Sequence, residues 1–452
     1  MSEATQRHPT WALALGLTLL VGIFPQFAIG ALGPQLQADL QLGPSDLGLV
    51  FAGLYAIGVF GSPLAGPLVD RIGGRHSCLG LLVVAGGALL LASFAGSGVG
   101  LSLAMLPAGA AMAFANPGTT RWASTAATAR AQARLVGIGQ AGVQAGALAA
   151  GALAAASAVG LDWRATLRIG ALVAAVGAVL AWASPSDHAR TGSTSARAGD
   201  TKVGHVRGGH ARGGHARDGG ATAGQPGAGR GPSPAGRRVR VATDPGVRTR
   251  RSLAAYALLM GGGSAVVFAY LPTFASDVGG LSVSTAGATV MVYGGTALVC
   301  RLLLGFAVRR PDRLAVPLMV AMAVGSATAI VLMAASGAVP ALLWVGAVLF
   351  GATGTTWPAV AFLALVRASP PGTAGRTTGW VTAAFYLALW VTPPVSGALI
   401  PRLGYWPVWA GAATIALSAA LPAARARPGR HAAETGQTAV GRPVADEARD
   451  GA

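Results

Sequence analysis

Gly66-Pro67-Leu68-Val69-Asp70-Arg71-Ile72-Gly73-Gly74-Arg75-His76 lies between two long apolar runs, Phe51 to Leu68 and Cys78 to Ala95. One acid and several basic side chains are thereby concentrated in a short connection between two segments of membrane-crossing length. A connection that only joined helices would need none of that charge. Gly66 and Gly73 offer close backbone approach or positive φ, and Asp70 is placed to accept hydrogen bonds from a donor-rich neighbour. The alternative reading of the same residues is an ordinary positive-inside loop.

The rest of the chain sets the context. Its 452 residues are 53% hydrophobic and only 11% charged, which excludes an ordinary soluble globular protein. A formal net charge of +18 raises nucleic-acid binding as an option. The basic residues, however, gather in a hydrophilic central stretch, a tail and short connections, as on the cytoplasmic side of a membrane protein, so no nucleic-acid partner is expected. Lys202 is the only lysine. Cys78 and Cys300 sit in different halves within apolar runs, so no disulfide framework is expected. Trp11 to Ala31 reads as a retained first helix rather than a signal peptide.

A bilayer-crossing helix needs about 20 apolar residues, and segments of that length recur at 11–34, 46–67, 77–96, 99–120, 135–158, 164–183, 253–275, 283–307, 314–336, 339–366, 374–396 and 404–423. The expected fold is an all-α polytopic membrane protein, with about twelve transmembrane helices in two pseudo-symmetric six-helix bundles. The expected domains are a bundle at 1–184, a disordered cytoplasmic linker at 185–251, a second bundle at 252–424 and a disordered cytoplasmic tail at 425–452. Arginines concentrate in the even-numbered connections: Arg71 and Arg75, then Arg121, Arg130 and Arg134, then Arg309, Arg310 and Arg313, then Arg367 and Arg376. The odd-numbered ones are mostly acidic or neutral, Arg164 and Arg402 excepted, which places both termini in the cytoplasm of a multi-pass protein of the cytoplasmic membrane. The linker repeats H-x-R-G-G around His205, His210 and His215; clustered imidazoles bind zinc or nickel, but a slipped low-complexity repeat explains them equally, and no metal site is expected. Laying Gly66 on Gly305 aligns Phe51–Asp70 with Val290–Arg309, so the second copy carries Arg309 where the first has Asp70.

No close carboxylate pair, Cys/His nucleophile or phosphate loop is present, so neither an enzyme nor a cofactor is expected. Polar residues inside the spans are the informative signal, because bilayer depth makes them costly. They are Gln26 after Pro25 in the first span, Asn116 before Pro117 in the fourth, and Gln140 and Gln144 on one face of the fifth. The eighth span has Tyr293 and, two turns on, Arg301; the tenth and eleventh add Trp357, Tyr386 and Trp390. These nine residues are the candidate lining of a central cavity. Interhelical hydrogen bonding is the alternative for the glutamines, snorkelling to the headgroups for Arg301, and packing for the aromatics. Glycine runs such as Gly261–Gly263 read as close helix contacts.

The pattern G-x-x-x-D-R-x-G-x-R over Gly66, Asp70, Arg71, Gly73 and Arg75 resembles the signature loop between helices 2 and 3 of the major facilitator superfamily. Gly74 stands where that family usually has a basic residue. The resemblance implies a secondary transporter working by alternating access, its two halves being parallel repeats around a central site. It also implies that the Asp70 loop gates the protein by docking on the start of the eleventh span, near Gly375 to Thr378. The G-I-x-Q-x-G-V-Q run around Gln140 and Gln144 resembles the cyanate-permease and nitrate/nitrite-porter-like branch. Acidic residues fall only at span ends, which favours an anionic or neutral cargo over a cationic drug. The expected protein is thus a monomer in the lipid bilayer that carries a small solute, with a proton as candidate coupling ion. A proton-coupled drug or metabolite exporter is the alternative, and a non-transporting membrane sensor a remoter one.

Overall fold

The computed structural model describes residues 8–126, 128–184, 245–307, 311–368 and 374–426. The expected linker core with its histidines, Arg309 and Arg310, and the tail from residue 427 onward lie outside them. The described residues are overwhelmingly helical and contain no strand. With no water in a bilayer core to satisfy exposed amides, helices that close their own hydrogen bonds are the economical solution.

In the first half α1 covers His8–Ala31, and Gly33–Pro34 stops it before the short α2, Gly33–Leu40. There follow α3 Pro44–Ile72, α4 Gly74–Ala92, α5 Gly98–Ala123, α6 Ala129–Ala155 and α7 Trp163–Ala183. In the second half come α8 Pro245–Asp277, α9 Val283–Ala307, α10 Pro311–Ala334, α11 Ala341–Thr353, α12 Trp357–Ala368, α13 Ala374–Leu403, α14 Tyr405–Ser418 and α15 Ala420–Arg425. Twelve segments among them are long and apolar enough to cross a membrane. Their number and order match the twelve runs of the sequence.

Three boundaries differ from expectation. The helix of the second span does not end at residue 67 but continues through Asp70 and Arg71 to Ile72. The connection to α4 is therefore the single residue Gly73, at φ 92°, where L side chains are strained. The seventh span begins at Pro245 rather than after residue 251, so Arg248, Arg250 and Arg251 belong to the first turns of α8. The tenth span is two helices, α11 and α12, joined by a turn at residues 354–356.

Small residues let the helices approach closely. A Cβ added at Gly30 would collide with the Phe268 carbonyl, at Gly109 with the Leu54 carbonyl, and at Gly263 it would stand 2.6 Å from the Ala416 Cβ. The halves meet along two seams, α3 against α13 and α6 against α9, and α1 also touches α8. Along α1 every residue from Phe24 to Ala31 is buried, and along α8 every residue from Met260 to Ala275. These stretches lie toward the end of the molecule that carries Asp39. Toward the Asp70 end the same helices are only partly covered. The halves are thus closed on each other most completely at the Asp39 end.

Candidate functional site

The break in the tenth span is the structural origin of the site. Pro358 has no N–H to give the carbonyl four residues back, that of Gly354, and the Ser264 hydroxyl donates to it instead at 3.2 Å. The Ala359 N–H bonds Thr356 O, three residues back, at 3.1 Å, which releases the Thr355 carbonyl from the helical ladder. Two side chains take up that carbonyl: Arg301 Nη2 donates at 3.0 Å and Gln144 Nε2 at 3.3 Å. Arg301 Nη1 reaches across the α6–α9 seam to Gln140 O at 3.3 Å and Gln140 Oε1 at 3.4 Å. Gln140 is aligned from its other side, where Nε2 donates to Asn116 Oδ1 at 2.9 Å. Asn116, Gln140, Arg301, Thr355 and Gln144 therefore form one polar chain over four of the twelve spans and both halves.

This arrangement removes the snorkelling alternative for Arg301. Its guanidinium bonds to groups inside the protein instead of reaching out toward headgroups. Every recorded partner is a neutral oxygen, and the two ion pairs recorded among the described residues, Arg121–Asp70 and Arg164–Asp39, lie elsewhere. Partial compensation comes from the C-terminal end of α11, whose unpaired carbonyls carry the negative pole of the helix dipole. A full counter-charge is not among the partners.

Gln26 and Tyr386 belong to a second cluster. Gln26 is buried and its Oε1 accepts a short hydrogen bond from the Tyr55 hydroxyl of α3, whose ring lies 5.6 Å from that of Tyr386 on α13. Tyr293 sits in an aromatic group with Phe27, Phe268 and Phe350, centroids 5.7–6.3 Å apart, contributed by α1, α8, α9 and α11. This group lies between Arg301 and the closed Asp39 end. Trp357 packs edge-on against Tyr256 and Phe385 within the second half, and Trp390 packs edge-on against the lipid-facing Phe60 on the outer side of the α3–α13 seam. These two tryptophans stand apart from the Arg301 chain. Tyr55, Thr355 and Ser264 belong to the region and were missed from the sequence, although Gly354-Thr355-Thr356-Trp357-Pro358 carries the signature of a helix break.

In the signature segment, Asp70 stands 3.7 Å from Arg121 at the end of α5, with both side chains substantially exposed. Arg75 caps the C-terminus of α7, its Nε donating to Ala181 O at 3.1 Å and an Nη to Trp182 O. Gly66 has open space around it, so close approach does not explain that glycine. The close approach falls instead at Gly74, where a Cβ would collide with the Trp122 backbone nitrogen. A basic side chain at this position, usual in the resembling family, could not be accommodated without moving α5. Side chains at the start of α13 fall outside the described residues; further along, a Cβ at Gly379 would stand 3.2 Å from Ser62 O, so α13 runs against α3 there.

The other acids sit at helix ends. Asp46 accepts from the Gly43 N–H at 2.9 Å, Asp162 from the Ala165 N–H at 2.6 Å, and Asp277 from the Tyr405 hydroxyl at 2.7 Å. Asp39 of α2 accepts from Trp163 Nε1 at 2.8 Å and from Arg164, whose guanidinium lies 4.2 Å over the Trp163 ring. Those hydrogen bonds, Trp163's foremost, hold its carboxyl below the usual carboxylate range. Among the described residues no group of three or more His, Cys, Asp or Glu side chains is assembled.

Comparison with solved structures finds the same fold in transporters at low identity. A D-xylose–proton symporter matches with TM-score 0.68 at 16% identity, over 92% of this chain and 96% of that one. The nucleoside transporter NupG matches with TM-score 0.65 at 13% identity, over 91% and 98%. A bacterial homologue of the human lysosomal transporter Spinster, inward-facing and unoccupied, matches with TM-score 0.60 at 14% identity, over 94% and 95%. No curated protein matches the sequence. The profile of the Major Facilitator Superfamily matches residues 14–336, so with its twelve apolar helices and this fold the chain belongs to that superfamily of secondary transporters.

Proposed function

We propose that this transporter moves a small anion across the cytoplasmic membrane by alternating access, with Arg301 as its principal contact and both termini in the cytoplasm. One observation carries the reading: a guanidinium held in the seam between the halves by neutral acceptors alone. Arginine within a span costs about 2.5–3.5 kcal/mol on insertion scales, and Gln140 O, Gln140 Oε1 and Thr355 O bring no formal charge to offset it. A bound anion supplies that charge, and a carboxylate matches the guanidinium fork with two parallel hydrogen bonds. Because Arg301 bridges to Gln140 of the other half, an anion there competes for the bond that joins the halves. Binding and rocking are coupled through that competition. With the arginine-rich Asp70 end placed in the cytoplasm, the closed Asp39 end is the outer gate.

The test is a thermal-shift screen of the purified full chain against small anions, neutral sugars and cationic drugs, since a ligand that binds only the folded state raises apparent stability by mass action. An anion is the expected hit. Loss of a charge-assisted hydrogen bond costs about 1.5–3 kcal/mol, roughly ten- to hundred-fold in affinity. Arg301→Lys, which keeps the charge but not the fork, should weaken that anion, and Arg301→Gln should nearly abolish binding. Normal affinity in Arg301→Lys, or hits confined to sugars or cations, would sink the proposal.

A further inference from the structure

Two side-chain atoms at the Arg301 chain are enclosed and have no hydrogen-bond partner: Arg301 Nε, a donor, and Gln144 Oε1, an acceptor. The orientation of Gln144 is fixed by its neighbour. Thr355 O can only accept, so the amide nitrogen must face it, and the amide oxygen is the atom left over. Gln144 is 1% exposed, and a buried acceptor left unpaired is costly in a way that a paired one is not. The guanidinium carries five N–H donors, of which three are engaged by Gln140 and Thr355. Nε–H and one proton on Nη2 remain, on adjacent nitrogens, the spacing that takes both oxygens of a carboxylate.

The unused donors and the unused acceptor lie close together, since Arg301 Nη2 and Gln144 Nε2 converge on the same carbonyl at 3.0 and 3.3 Å. A solute that satisfied both would present an anionic acceptor and a hydrogen-bond donor on neighbouring atoms. Resting on the proposal that Arg301 binds an anion, we infer that the cargo is a hydroxycarboxylate, its carboxylate on Arg301 and the hydroxyl beside it donating to Gln144 Oε1. A donor-free anion such as nitrate leaves Gln144 Oε1 unpaired. An amino acid would bring an ammonium next to the Arg301 guanidinium, and no acidic partner is recorded at this cluster to offset the repulsion.

The experiment measures affinities of the full chain in detergent for pairs of acids that differ by one hydroxyl: glycolate against acetate, lactate against propionate, malate against succinate. In the wild type the hydroxylated member of at least one pair should bind ten-fold or more tightly than its parent. Gln144→Met keeps the length of the side chain and removes the acceptor, so it should bring that pair within two-fold while leaving the parent acid's affinity nearly unchanged. Arg301→Gln should weaken both members together. Equal affinities within every pair, as expected if a water bridges Arg301 Nε and Gln144 Oε1, would overturn the hydroxyl assignment and leave the anion site standing. So would a preference that survives in Gln144→Met. Absence of binding by any acid, with Arg301→Gln no different from the wild type, would remove the anion site itself. If Gln144→Met does not fold, the wild-type pairs alone decide.

Discussion

The two seams between the halves are built from different materials. Along α3 and α13 the contact is backbone against backbone: Cβ atoms added at Gly48 and Gly397 would press on the Pro393 and Pro44 carbonyls. The hydroxyl of Tyr270, from α8, lies 3.0 Å from Pro44 O and 2.7 Å from Pro393 O, and Ser45 Oγ donates to Gly397 O at 3.0 Å. The α6–α9 seam begins in the same manner at the Asp39 end, with Gly151 against Met291 and Gly294 against Leu148. Toward the Asp70 end it changes to Gln140 and Arg301. Glycine contacts with few polar groups close the halves tightly, whereas a polar contact can be exchanged for a solute. The first seam therefore serves as the gate, and the far half of the second as the place where cargo is sensed.

The sharpest way to break this comparison is to overfill the glycine part. A leucine at Gly151 would overlap the Met291 backbone, while Gly137, on the same helix, has open space within 4 Å. Overpacking of this kind costs about 1–3 kcal/mol and more where backbone must yield. Gly151→Leu should thus lower the thermal unfolding temperature clearly and Gly137→Leu hardly at all; equal effects would show that the seam is looser than described. Next comes the gate. Tyr270→Phe deletes the hydroxyl shared by Pro44 and Pro393, worth about 1 kcal/mol or roughly five-fold in an equilibrium. In a background with Cys78 and Cys300 replaced, a cysteine at the buried Leu36 should then label faster. An unchanged labelling rate would take Tyr270 out of the gate.

Smaller effects are expected at the exposed charges. The Asp70–Arg121 pair is solvent-screened, and such pairs contribute about 0–1 kcal/mol. Asp70→Asn should change transport rate by only a few-fold, measured as flux into proteoliposomes; a loss beyond ten-fold would mean that Asp70 has a stronger partner than Arg121. Asp39 should show the least. Its carboxyl is held below the ordinary value, so its contribution is present above the unfolded pKa of about 3.9 and is lost only as pH falls through the lower folded value. Stability between pH 5 and 8 should be the same in Asp39→Asn as in the wild type apart from a constant offset. A slope confined to the wild type in that window would contradict this.

Much of the architecture could be read from hydropathy alone, because apolar runs of about 20 residues have one use in a bilayer. The shared face of Gln140 and Gln144 was legible from their spacing, and both meet the Arg301 chain. The break at 354–356 was not, since threonine and tryptophan keep the run apolar and proline is tolerated within membrane helices. The partners of Arg301 were also hidden: Gln140 and Thr355 lie 161 and 54 residues from it in the chain. At Trp390 the residue type suggested a ligand contact, but the helix face, which composition does not reveal, sets it beside Phe60. At Gly74 the departure from the family pattern was visible, and its cause, the Trp122 backbone, needed coordinates.

The divided tenth span also bears on how the chain is made. With 13 and 12 residues, α11 and α12 are each roughly 20 Å long, too short to cross the hydrocarbon core of about 30 Å alone. Between them lie carbonyls that lipid cannot satisfy. The groups that satisfy them, from Gln144, Ser264 and Arg301, all precede residue 354 in the sequence. When the ribosome delivers this segment to the insertion machinery, its hydrogen-bond partners have already been synthesised. A circular permutant that emitted the tenth span first would present those carbonyls to the membrane before anything could receive them.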